Sequence, residues 1–117
     1  MFNTRIQQIG PEAELFIAQD MMILFGEMVP EELKDYTYII QVKAFEEEIV
    51  SGMILSIDNV EYEITAVGDV VNKNLKEFGH ITLKFDGSTQ AELPGTLYLE
   101  HKAIPQVTVG SQISISA

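Results

Sequence analysis

The stretch Ala66–Gly87, AVGDVVNKNLKEFGHITLKFDG, contains a change of period that decides how the chain folds. Val71, Leu75 and Phe78 fall at i, i+4 and i+7, with Asn72, Lys73, Lys76 and Glu77 between them. This is the spacing of a short amphipathic helix, over about residues 70–78. Gly79 follows the last periodic residue and supplies a left-handed cap at no steric cost, while Lys73 and Lys76 favour the helix's negative end. From there the period becomes two. Ile81, Leu83 and Phe85 alternate with Thr82 and Lys84, so His80, Thr82 and Lys84 share one face of a strand that ends at Asp86-Gly87.

Upstream, Ile54–Ile57, Asp58-Asn59 and Val60–Val67 read as a hairpin, with Val60, Tyr62, Ile64 and Ala66 facing in and Glu61, Glu63 and Thr65 facing out. Tyr36–Lys43 alternates as a further strand, with Tyr36, Tyr38, Ile40 and Val42 on one side. Before it, Pro30 with Glu31 and Glu32 predicts a single helical turn. Met21–Phe25, closed by Gly26, reads as a buried strand, Glu14–Ala18 as a strand or a helical turn, and Phe2–Ile9 as a first strand stopped by Gly10-Pro11. Downstream, Thr96–Leu99 and Val107–Ile115, the latter broken by Gly110-Ser111, complete the set. Short strands with a single clear helix predict an all-β fold. It is a small closed or partly open barrel of mainly antiparallel strands, in one domain over residues 1–117, with the helix plugging an end.

The chain has no cysteine, which excludes a disulfide framework, a thiolate zinc site and a cysteine nucleophile. Its first residues, MFNTRIQQIG, lack the apolar run of a secretion signal, and no stretch is long enough to cross a bilayer, so a cytoplasmic location is expected. The formal net charge of -11 repels phosphate backbones and anionic headgroups, which argues against nucleic acid and membrane partners. That acidity would suit a basic patch on a partner protein, and it also serves solubility alone. Glu46-Glu47-Glu48 is not a cation site: consecutive carboxylates diverge, and the spacing of a calcium loop is absent. Neither a metal nor a cofactor is implied by any ligand cluster or motif.

Only two histidines could carry nucleophilic chemistry. A phosphoryl-accepting imidazole needs one ring nitrogen exposed and the other N–H held by an acceptor. His80 has a hydroxyl and an ammonium, Thr82 and Lys84, as same-face neighbours that could contact a phosphoryl group. Against this, a histidine following a helix end can simply hydrogen-bond that helix's free carbonyls, and the dipole there disfavours an added anion. His101, beside Lys102, reads as a surface residue. No nucleophile–base pair or ligand cluster suggests a hydrolase or metal enzyme.

The order AVG, NLKEFGH and ITLKFDG closely resembles the glucitol/sorbitol-type IIA component of the bacterial phosphotransferase system. The resemblance extends over nearly the whole chain, including Leu93-Pro94-Gly95-Thr96 and Met22–Tyr36. It implies phosphotransferase activity, in which a histidine accepts a phosphoryl group from HPr and passes it toward a cysteine on the IIB component of a IIB/IIC sugar permease. By this resemblance, with the family's acidic then aromatic or aliphatic pattern aligned onto Asp35 and Tyr36, the family's accepting histidine falls on the strand after the short helical turn, at the position that Ile40 occupies here. Two readings follow. Either His80 is the carrier, assisted by Thr82 and Lys84, or the chain is a non-catalytic IIA-like binding or regulatory module. An edge strand such as Tyr36–Lys43 could also pair between chains, which makes a homodimer an expectation to test.

Overall fold

The alternating segments close into a barrel that buries one side of every strand. The computed structural model describes residues 1–117. Its strands are β1 (Phe2–Ile9), β2 (Met21–Phe25), β3 (Tyr38–Ile40), β4 (Ile54–Ile57), β5 (Val60–Val67), β6 (Ile81–Lys84), β7 (Thr96–Leu99) and β8 (Gln112–Ser116). Around the barrel the order is β1-β3-β2-β6-β7-β5-β4-β8, and it is closed. A barrel of this strand number is just wide enough for side chains to fill. Ile6, Leu24, Ile40, Leu55, Tyr62, Ile64, Leu83 and Ile113 accordingly meet in one core cluster.

The pairing is mainly antiparallel, but β2–β3 and β6–β7 are parallel. Parallel neighbours need a crossover rather than a tight turn. The β2–β3 crossover contains α1 (Glu31–Lys34), the helical turn expected after Pro30. Glu14–Ala18 resolves as part of a 3-10 helix, Ala13–Gln19, ended by Asp20 at φ 59°. In the β4–β5 hairpin Asp58 and Asn59 both have positive φ, 50° and 87°. This is the turn whose twist matches the flanking strands.

Two expected strands are shorter than the alternation suggested. Of Tyr36–Lys43 only Tyr38–Ile40 pairs. Before it, the Thr37 hydroxyl donates to the Lys34 carbonyl at 3.1 Å, and the Tyr36 N–H donates to Leu33 at 3.0 Å, so the chain is still turning out of α1. Of Val107–Ile115 only Gln112 onward pairs, because the Ser111 N–H and Oγ both bond Thr108 in a turn through Gly110 at φ 96°.

Helix α2 (Val71–Phe78) forms where the spacing predicted it, and Val71 and Leu75 enter the core cluster. Phe78, the third periodic residue, stays 48% exposed. Beneath α2 runs the irregular segment 41–53, which sends Phe45 and Ile49 into the core. Asn72 clamps it: its Oδ1 accepts the Ile49 N–H at 2.7 Å and its Nδ2 donates to the Ile49 carbonyl at 3.1 Å. Glu46, Glu47 and Glu48 are all exposed. No helix is long and apolar enough to cross a membrane.

Candidate active site at the junction of α2 and β6

His80 lies between α2 and β6, and both its backbone and its ring are held. Gly79 ends the helix at φ 66° and donates its N–H to Leu75, while the His80 N–H donates to the Asn74 carbonyl at 3.2 Å. These are the paired bonds of a glycine-capped helix end. The Asn74, Leu75 and Phe78 carbonyls of α2 are taken by backbone N–H groups, the last by Gly26 at 2.8 Å, and the imidazole bonds none of them.

The ring turns instead toward β2. Its Nδ1 lies 3.1 Å from the Leu24 carbonyl. A carbonyl only accepts, so Nδ1 carries the proton and, in the neutral ring, the lone pair sits on Nε2. Phe25 stacks on the imidazole with centroids 4.1 Å apart and planes 19° from parallel. This follows from register: Leu24 pairs with Ile81, so Phe25 stands opposite His80 on the outer face. Nε2 has no protein partner, and Tyr38 Oη is the one buried side-chain polar atom lacking one, so Nε2 reaches solvent.

The backbone next to the ring is tightly fitted. A Cβ at Gly26 would lie 2.5 Å from the Phe78 carbonyl oxygen and 2.6 Å from Val42 Cγ2, and one at Gly79 would lie 3.3 Å from the same methyl. Only glycines allow this approach. Val42 in turn lines a shallow cavity of about 370 Å³ with Glu27, Met28, Gln41 and Lys43. Met28, Phe78 and Val42 are exposed by 87%, 48% and 44%, and Glu27, Gln41 and Lys43 share the cavity with Met28 and Val42.

Thr82 and Lys84 lie along the same face of β6 as His80 but face a different space. They line a cavity of about 200 Å³ together with Asp86, Glu92, Leu93 and Tyr98. Lys84 donates its ammonium to the Gln19 carbonyl at 2.9 Å. It lies four positions along the strand from His80, a span of about 13 Å. His101 is exposed on the segment after β7. Ile40 is fully buried in the barrel core beside Ile6, its partner on β1, and it is Val42, two residues on, that reaches the surface near His80.

Sequence reading missed Leu24, Phe25, Gly26 and Val42 as neighbours of His80. Their partners are distant in sequence, and Gly26 appeared only as a strand terminator. The sole available signal was the length match between Met21–Phe25 and the strand after His80, which permits pairing without requiring it.

Comparison with known proteins bears on the whole chain. Residues 1–114 match the family model for the PTS system glucitol/sorbitol-specific IIA component. The PTS system glucitol/sorbitol-specific EIIA components of Shigella flexneri and Escherichia coli (strain K12) are each 32% identical over 117 residues, covering 100% of this chain and 95% of the relative. The crystal structure of a PTS system IIA component from Enterococcus faecalis V583 superposes with a TM-score of 0.82 at 30% identity, covering 97% of this chain and 98% of that one. The chain belongs to the glucitol/sorbitol-specific IIA family of the phosphotransferase system.

Proposed function

We propose that this IIA component relays a phosphoryl group from phospho-HPr to a IIB component during uptake of a sugar of the glucitol/sorbitol class, with His80 as the carrier. Family membership implies the two partners. One observation supports the residue: His80 has Nδ1 tied to a carbonyl and Nε2 free of any protein partner at the surface. Transfer between two proteins requires chiefly in-line positioning and charge stabilisation, which a single held imidazole with one free nitrogen can support. Thr82 remains the nearer of the two proposed phosphoryl contacts. Lys84 would have to release Gln19 to serve as the other. A cytoplasmic location accords with this role.

A homodimer belongs to the same reading only through some face other than β3, because β3 is paired on both edges, with β1 and with β2. The test is intact-mass analysis after incubation with phosphoenolpyruvate, enzyme I and HPr. An acid-labile gain of one phosphoryl group that His80→Ala abolishes and His101→Ala preserves is the expected result. No gain in the unsubstituted protein would establish the other reading, a IIA-like module that binds partners without accepting phosphate.

A further inference from the structure

We propose that β2 selects the reacting nitrogen of His80: the Leu24 carbonyl and the Phe25 ring act as positioning groups that direct phosphoryl transfer to Nε2. The proposal rests on His80 being the carrier for its place in the relay, but its geometry stands apart from that reading. Attack by Nε2 forms a nitrogen–phosphorus bond while the donor's bond to phosphorus breaks and its electron pair returns to the donor. Nδ1 keeps its proton throughout. The product ring is therefore an N-phosphorylated imidazolium, with positive charge shared onto the Nδ1–H that faces Leu24 at 3.1 Å. A hydrogen bond from an ionised donor is shorter and stronger than one from a neutral donor, so this contact strengthens as the bond to phosphorus forms. The Phe25 face, 4.1 Å away, adds attraction for the same developing cation.

Nδ1 is also blocked in space. With its N–H directed at the backbone of β2, no phosphoryl group can reach it without breaking the contact and turning the ring off Phe25. His101 is exposed and has no such constraint, which makes it an internal control in the same molecule.

The experiment has two arms. In the first, nitrogen-detected NMR of the unmodified protein reports the tautomer of His80. The Nδ1–H form is expected, and a dominant Nε2–H form overturns the proposal. In the second, the protein is treated with phosphoramidate, which phosphorylates accessible imidazoles with release of ammonia and needs no partner protein. His80 should carry phosphate at Nε2 alone, and His101 at either nitrogen. Phosphate on Nδ1 of His80 overturns the assignment. Phe25→Ala should cut the His80 phosphorylation rate by about tenfold and mix the tautomers, whereas Phe25→Tyr, which keeps the aromatic face, should restore both. Unchanged isomer, tautomer and rate in Phe25→Ala would remove Phe25 from the role. If phosphoramidate labels Nε2 but phospho-HPr does not, the carrier reading fails while the positioning of the ring stands.

Discussion

The sheet formed by β3, β2 and β6 has two sides that differ in what a side chain there can do. On the inner side Leu24, Tyr38, Ile40 and Leu83 are at most 1% exposed. On the outer side Ile23, Phe25, His80 and Thr82 are half-buried, packed enough to be held and open enough to be reached. Side chains alternate across a strand, so one residue of register separates the two conditions. The acceptor position that the family resemblance implies, Ile40, falls on the inner side of this chain, and His80 falls on the outer side. In this chain Ile40 is sealed inside and His80 is reached from outside, while Ile39, on the outer side by parity, is also buried, so packing as well as parity decides which side chain a partner protein can meet.

The sharpest way to break this comparison is to put a histidine on the inner side and remove the outer one. Ile40→His in a His80→Ala background is expected to show no phosphoryl gain and to lose about 3 kcal/mol of stability, because an imidazole replaces a packed aliphatic side chain without a ready partner. Intact mass and denaturant unfolding measure the two effects. A phosphoryl gain at the substituted position would show that the barrel opens at β3 and would overturn the division between the sides.

A smaller effect sharpens the outer side. Gly26→Ala places a Cβ 2.5 Å from the Phe78 carbonyl oxygen, which is backbone, and 2.6 Å from the Val42 methyl. We expect a loss of about 2 kcal/mol. Adding Val42→Ala should recover only part of it, since the carbonyl remains. Full recovery would show that β2 and the end of α2 can slide apart, and that the close approach behind His80 is not rigid.

Much of the fold was legible, for reasons that explain what was not. Val71, Leu75 and Gly79 specify a helix and its end by local spacing and backbone conformation, and the Asp58-Asn59 hairpin is specified in the same way. The closed order of strands was not, because pairing between β2 and β6 is written only as compatible alternation in segments far apart. Nor were the parallel pairs, since nothing local distinguishes them. Tyr36–Lys43 misled through its long alternation: Thr37 is bound back to Lys34, and beyond Ile40 the chain departs to bring Phe45 and Ile49 under Asn72. At the site, His80 was visible as a residue, but the carbonyl that fixes its tautomer comes from Leu24, 56 positions away. A backbone acceptor leaves no mark on the identity of the residue that supplies it.

The smallest effect tests how dry the inner side is. Tyr38 and Tyr62 are both buried, yet Tyr62 donates its hydroxyl to the Ala103 carbonyl at 2.6 Å while the Tyr38 hydroxyl has no protein partner. Tyr62→Phe should therefore cost about 1 kcal/mol, and Tyr38→Phe should be neutral or stabilising by up to about 1 kcal/mol. Burial, with the Glu14 carboxylate nearby, pushes the Tyr38 phenol from 10.0 up to about 12. Between these values the unfolded chain has released that proton and the folded chain still holds it. The folded state then binds more protons, so stability falls as pH rises through this window. Tyr38→Phe should flatten that fall, measured as the denaturant midpoint across the alkaline range. A substantial loss of stability at neutral pH in Tyr38→Phe would mean that the hydroxyl has a partner after all, and that the inner side of β3 can hold a polar group such as the imidazole of Ile40→His.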